Sequence, residues 1–312
     1  MHVSQLYIVF FEMAVVLLIG FVLAKQKVID DRGRKTLNDL LLKAVLPFTI
    51  ISSSQYEFST DMMRSIGAVA LGSALYYLLT LVVLRIVVFR TKIADAERRV
   101  FITTSVFANT GFVGMPIMYS LFGDPGLLLA AIYNLIYNVF FYTYGVHLLS
   151  GKKPSVSEYL NPVSIASVFA IALFIVPWRA PAAAVNAINL VGNMTFPLSM
   201  IIMGSTLSTI DVKRLFADGK SYVVCFLRLI LFPALMTLAM ILVKNYVAVL
   251  PATLITLIIM TALPSGTMSV IYSERYDCAP KFCARTVSLT LLFMVITLPL
   301  MIALCLTAFT SA

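Results

Sequence analysis

Charge is scarce in this sequence. Of 312 residues only 12% are Asp, Glu, Lys or Arg, about half the share of an ordinary soluble domain. Histidine is scarcer still, with His2 and His147 alone, and neither HExxH nor GxGD occurs. That leaves no nucleophile–base pair and no ligand set for an intramembrane enzyme, so no cofactor and no metal are expected. The four cysteines, Cys225, Cys278, Cys283 and Cys305, show no CxxC spacing. They read as packing residues or cytosol-facing thiols, not as a zinc or disulfide framework. A basic domain is missing too. The formal net charge is +9, but the cations are scattered over short loops, which excludes the concentrated footprint of a nucleic-acid binder.

What abounds is apolar surface, at 61% of residues. A helical membrane span needs about 20 mostly apolar residues. Ten segments qualify, some with polar interruptions: 6–24, 37–54, 65–89, 100–122, 127–149, 161–177, 186–208, 221–243, 249–273 and 282–309. The expected fold is therefore an all-α polytopic membrane protein. "MHVSQ" lacks Lys and Arg and no small-residue cleavage site follows, so the first apolar run is expected to remain as a permanent span.

The loop cations set the orientation. Lys25, Lys27, Arg32, Arg34 and Lys35 follow the first span, and Arg90, Lys92, Arg98 and Arg99 follow the third. Lys152 and Lys153 follow the fifth, Lys213, Arg214 and Lys220 the seventh, and Arg275, Lys281 and Arg285 the ninth. The other side holds only Arg64, Arg179 and Lys244. The bias places the first set of loops in the cytoplasm and both termini outside a plasma membrane.

The chain also repeats itself. "YSLFGD" (Tyr119 to Asp124) matches "YSERYD" (Tyr272 to Asp277), and "LPFTII" (Leu46 to Ile51) resembles "FPLSMI" (Phe196 to Ile201). Each pair joins one span to the fifth span after it. Five is odd, so the second copy would enter the membrane from the opposite side, the inverted-repeat plan of secondary transporters. The expected division is a first five-helix repeat over 1–149, a cytoplasmic linker over 150–160 and a second repeat over 161–312.

Spans four and nine, which correspond in this repeat, are both interrupted. One carries "NTGFVGMP" (Asn109 to Pro116), the other "TALPSGTMS" (Thr261 to Ser269). Proline removes an amide hydrogen and glycine permits non-helical dihedrals. Irregular backbone at membrane depth is tolerated only inside protein or beside a cavity, and paired breaks point to a transport site. Asn109, Thr110, Ser265 and Ser269 are the expected substrate ligands there, and Gly111, Gly114, Pro116, Pro264 and Gly266 shape the break. Half-helix N-termini at such a break carry partial positive charge and free amides, which suits a carboxylate.

Other polar residues lie in the spans. Asn134 and Asn138 share one helix face, with Tyr133 and Tyr137 nearby; they read as cavity lining or as glue between helices. His147 is placed at the cytoplasmic interface. Glu12, Lys43 and Arg228 are intramembrane charges and candidate coupling residues. Lys43 and Arg228 lie about 12 Å from their cytoplasmic helix ends, so snorkelling also accounts for them. A Glu12–Lys43 pair is a further reading. Pro47 and Pro197 are expected to kink spans two and seven.

"LNDLLLKAVLPF", "ANTGFVGMPIM", "LNPVSIASV", "MGSTL" and "ALPSGTMSVIYSERY" together resemble the auxin efflux carrier family, which includes plant PIN exporters and bacterial permeases for malate or malonate. The likeness runs from about Leu37 to Pro299. It implies ten helices in two inverted five-helix repeats, a bile-acid symporter-like fold with spans three to five and eight to ten moving against a scaffold of one, two, six and seven. It also implies a substrate site where helices four and nine cross. By resemblance Asn109 matches the asparagine that meets the substrate carboxylate, Pro116 matches the crossover proline, and Pro264 and Gly266 match the A-L-P-x-G segment. Asn134 takes the place of a helix-five glutamine. Ser269 stands where PIN carriers have a second proline, and the long central loop of many PIN proteins is missing, so a compact bacterial-type permease is the nearer comparison.

The expected function is thus a secondary carrier for small organic anions such as malate, malonate or auxin-like acids. An ion or solute channel and a sodium-coupled symporter of the bile-acid type stand as alternatives. The expected partners are the organic anion and the lipid bilayer, with a homodimer as candidate assembly and no nucleic acid.

Overall fold

The structure is a computed structural model that describes residues 3–54, 59–91, 93–151, 162–176, 180–209, 215–216 and 218–310. The expected linker, Arg179, Lys213 and Arg214 thus lie outside the described residues, apart from Ser150 and Gly151. The described helices are α1 (Val3–Lys25), α2 (Asp31–Leu40), α3 (Leu46–Ser53), α4 (Thr60–Phe89), α5 (Asp95–Val106), α6 (Met115–Phe140), α7 (Val146–Ser150) and α8 (Pro162–Ile175). They continue as α9 (Ala182–Gly192), α10 (Thr195–Ser208), α11 (Gly219–Phe226), α12 (Phe232–Val243), α13 (Pro251–Thr261), α14 (Thr267–Arg275) and α15 (Pro280–Thr310). Among the described residues the only other pairing is one isolated β-bridge.

Local chemistry explains where helices begin and bend. Asp30 caps α2 through the Gly33 amide at 2.7 Å, and Ser59 caps α4 through the Met62 amide at 3.1 Å. Wide π turns at Leu41–Val45, Thr110–Gly114 and Leu227–Leu231 each lead into a helix with proline at its second residue, Pro47, Pro116 and Pro233. A proline ring clashes with the carbonyl one turn back and removes a donor, and a π turn takes up the displaced backbone.

Among the described residues five helical stretches are long and apolar enough to cross a membrane: Thr60–Phe89, Thr110–Ser150, Ala182–Ser208, Gly219–Val243 and Pro280–Phe309. Pro162–Ile175 and Pro251–Thr261 are shorter apolar helices, and Ala14–Lys25 is an apolar part of α1. The stretch from Thr110 is not one rod. Gly123 has φ 62°, and a β-carbon built on Gly126 would stand 2.4 Å from the Met118 carbonyl oxygen. Eight residues of straight helix would separate those positions by about 12 Å, so the chain doubles back at Gly123. Leu71, Leu78, Leu79, Val83 and Ile86 of α4 and Ile296, Leu300 and Leu304 of α15 are exposed. Rows of bare aliphatic side chains on long helices are the surface that lipid solvates. The molecule is an all-helical polytopic membrane protein.

The helices gather into two groups. α1 lies along α10, and α3 packs on α8 and α9. α4, α5, α6 and α11 to α15 pack on one another, with α13 touching α4, α6, α12 and α15. Polar side chains tie the first group: the Thr49 hydroxyl shares a hydrogen bond with that of Thr195 at 2.6 Å, and Ser52 bonds Asn189. α6 touches α3, α8 and α10, so the seam between the groups runs along it.

Candidate functional site

Both expected breaks are present, and they meet. α5 ends at Val106, and the chain runs extended through Phe107, at φ −93° and ψ 113°. α13 ends at Thr261, and Gly266 is extended at φ −71° and ψ 135° before α14 begins. The two irregular segments pair antiparallel. The Asn109 amide donates to the Pro264 carbonyl at 2.9 Å, and the Gly266 amide donates to the Phe107 carbonyl at 2.9 Å. Each break thus supplies the hydrogen bonds the other lacks, which is how non-helical backbone survives where water is absent.

A cavity of about 150 Å³ opens on one side of this crossing. Asn109, Thr110, Gly111, Asn134, Tyr137, Asn138 and Gly266 line it, with Lys43 at its edge. The Thr110 hydroxyl donates to Asn134 Oδ1 at 2.7 Å, and the Asn138 amide donates to Ser164 Oγ at 2.7 Å. Asn109 Oδ1 accepts from the Phe112 amide at 3.3 Å and so caps the turn that follows it. Tyr137 stacks on Phe141, with ring centres 5.4 Å apart, and meets Phe107 edge-on at 5.8 Å.

Two helix starts face this cavity. The turn beginning at Thr110 is one, and α14 is the other, with Gly266, Thr267 and Met268 in the wall. No side chain caps α14. The first amides of a helix have no acceptor within it and sit at the positive end of its dipole. Among the described residues lining the cavity there is no Asp or Glu.

The remaining expected ligands stand elsewhere. Gly114, Pro116, Pro264, Ser265 and Ser269 lie outside the cavity wall. The Ser265 hydroxyl donates to the Thr104 carbonyl at 2.7 Å, and its amide donates to Thr290 Oγ1 at 3.1 Å. Ser265 therefore pins the second break to α5 and to α15. Ser269 is fully buried, and its hydroxyl has no partner among the described residues. Gly114 packs against α13: a β-carbon there would meet Leu263 and Met260 at 2.6 Å.

Sequence reading did not assign Leu42, Phe112, Tyr142, Pro162, Val163, Thr267 and Met268 to the site. A signal existed for two of them. Thr267 and Met268 are the first residues after Gly266, where the restarted helix must present its free amides. Phe112 lies within the first break itself, and the others come from different helices and leave no local mark.

The three intramembrane charges separate. Lys43 pairs with Asp39 one turn earlier, at 3.1 Å, not with Glu12, which is exposed on α1. Register explains the correction: positions four apart share a helix face. Arg228 does not snorkel. It is 0% exposed and turned inward. Its Nε donates to the Leu263 carbonyl at 2.9 Å, and its Nη1 donates to Val106 at 2.7 Å, Ser105 at 3.2 Å and Tyr76 Oη at 2.9 Å. His147 is exposed on the short helix α7.

A family model described as membrane transport protein matches the chain twice, over residues 6–158 and 150–302. An uncharacterized transporter of Methanocaldococcus jannaschii is 22% identical over 304 residues, covering 92% of this chain and 94% of its own. Uncharacterized transporter YfdV of Escherichia coli is 25% identical over 310 residues, with coverage of 92% and 94%.

Proposed function

The chain belongs to the membrane transport protein family, that of the auxin efflux carriers, and from that premise we propose that it is a secondary carrier of small organic anions. The observation that carries this reading is the convergence of two helix N-termini, one of them uncapped, on a cavity whose described wall residues include no acid. The anion would lie against the amides at Thr110 and Thr267, with Asn109 and Asn134 as polar contacts. The cavity, at about 150 Å³, is smaller than the roughly 300–1,000 Å³ of drug-sized sites. That size favours an acid of a few carbons, such as malate or malonate, over larger ones.

The two matches to one family model support a fold of ten spans in two inverted repeats, 1–149 and 161–312. On this reading the seam along α6 is where the helix groups slide, exposing the cavity to each side of a plasma membrane in turn, with both termini outside. The chain then acts as a permease and not as an enzyme.

The test is uptake of radiolabelled malate, malonate and indole-3-acetate by proteoliposomes, with Asn109→Asp alongside. Asp keeps the cap on Phe112 but adds a negative charge to the wall. Saturable uptake by the parent and loss in the variant is the expected result. Undiminished uptake by Asn109→Asp overturns the site, and flux that never saturates favours a channel.

A further inference from the structure

Arg228 is a fully buried cation without an acidic partner among the described residues. What holds it instead is a cage of oxygens at the back of the crossing. The Ser105 and Val106 carbonyls are the last two of α5, and the Leu263 carbonyl lies just beyond the end of α13. Terminal carbonyls have no acceptor role left within their own helix and form the negative end of its dipole. Tyr76 Oη is the fourth oxygen, and Nη2 has no partner among the described residues. The oxygens thus come from both broken segments, and the side chain reaches them from the π turn at Leu227–Leu231, outside either break.

Carriers with discontinuous helices use half-helix C-terminal ends and unwound carbonyls to bind a coupled cation. Carbonyls and hydroxyls are the ligands such an ion takes. Here three carbonyls and a hydroxyl are taken by two nitrogens of one side chain of this protein. Resting on the carrier reading above, we propose that the Arg228 guanidinium is a tethered cation that replaces a coupled metal ion at the crossing, so the cycle has no sodium requirement there. The charge also joins the two half-helix ends, which makes Arg228 a positioning residue for the anion site on the opposite face.

The proposal is tested without any transported substrate. The four cysteines are buried, so thermal unfolding of the purified protein in detergent can be followed with a thiol-reactive dye. The parent protein is expected to unfold at the same temperature in 100 mM sodium chloride and 100 mM choline chloride. Arg228→Ala is expected to unfold several degrees lower and to recover, saturably, with 1–20 mM guanidinium or methylguanidinium. Arg228→Met, which fills the space without charge, should be less stable than Arg228→Lys and should not respond. A sodium-dependent rise in the parent, an Arg228→Ala protein indifferent to guanidinium, or Arg228→Met matching Arg228→Lys would each overturn the proposal. If Arg228→Ala does not fold, the sodium titration and the Lys–Met comparison still decide. Tracer uptake separates the two readings: uptake that needs sodium sinks this proposal and leaves the carrier standing, whereas absent uptake of every acid sinks the carrier assignment and with it the statement about the cycle, leaving the unfolding comparison to decide whether Arg228 acts as a bound cation.

Discussion

The amide of Asn109 donates to the carbonyl of Pro264 at 2.9 Å. With the return bond from Gly266 to Phe107, this fastens two helices at the point where each has come apart. The crossing is therefore held by backbone, and side chains matter there through the space they leave and the carbonyls they occupy.

Gly266 lies against the backbone of the other break, which cannot step aside. A β-carbon on it would stand 2.9 Å from the Ala108 carbonyl oxygen, whereas one on Gly111 would have its nearest neighbour, Asn134 Oδ1, at 4.0 Å. Gly266→Ala is expected to destabilise the protein by about 1–3 kcal/mol, the usual cost of overpacking, and to abolish uptake. Gly111→Ala should fold as the parent does. Equal thermal unfolding of the two variants contradicts this account of the crossing.

Ser265 and Met268 are expected to behave oppositely, although both belong to the second break. Ser265→Ala removes the bond to the Thr104 carbonyl and should cost about 0.5–1.5 kcal/mol of stability, with little change in the substrate concentration at half-maximal uptake. Met268→Trp adds bulk to the cavity wall and should stop uptake while the unfolding temperature stays near that of the parent. Uptake lost in Ser265→Ala at unchanged stability would return that hydroxyl to the list of ligands.

The Thr110–Asn134 bond is buried at both ends. Removing one partner leaves the other unpaired at about 1–3 kcal/mol, and removing both costs less than the sum. Thr110→Val, Asn134→Leu and the double variant, compared by thermal unfolding, should show that coupling. Additive losses would mean that the bond is not formed in the membrane protein.

Asn138 on α6 meets Ser164 on α8 across the seam, at 2.7 Å. If the helix groups slide there, joining them stops the cycle. Asn138→Cys with Ser164→Cys, bridged by a short bifunctional methanethiosulfonate, is expected to block uptake, and reductant should restore it. Uninhibited uptake by the bridged protein would show that this seam does not move.

Burial pushes the Cys278 thiol up from its ordinary value, with Asp95 and Asp277 adding to the rise and Arg99 opposing it. It lies in the turn between α14 and α15. A raised pKa means that the folded protein holds this proton more tightly than the unfolded chain. The contribution to stability is complete below the free thiol's value of about 8.5 and fades as pH rises toward the folded one. Maleimide labelling of native protein should be slow at pH 7 and quicken toward pH 9, whereas denatured protein should label fully at once. Rapid native labelling at pH 7 would contradict the buried placement.

Much of this was legible in the sequence for reasons of solvent. Few charges, long apolar runs and biased loop cations follow from lipid and from the cost of moving charge across it. Pro116, Pro264 and the glycines beside them marked both breaks, because those residues cannot continue a helix unaided. The face each residue would take was not legible. In an extended segment neighbours point to opposite sides, so Gly266 lines the cavity and Ser265 points behind it, a choice fixed by how the segment pairs with Ala108. Polarity alone ranked Ser265 and Ser269 with Asn109, and geometry set them apart.

Composition and punctuation by themselves determined the solvent of this chain, the helices it forms and the two places where they fail. The tertiary structure decided what those failures are for. Bonds that join Asn109 to Pro264 and Arg228 to Val106 link residues more than a hundred positions apart, and no local pattern encodes such a meeting. Once the broken ends meet, their amides face one cavity and their carbonyls face one buried cation, because a helix dipole has two ends and the crossing turns them in opposite directions.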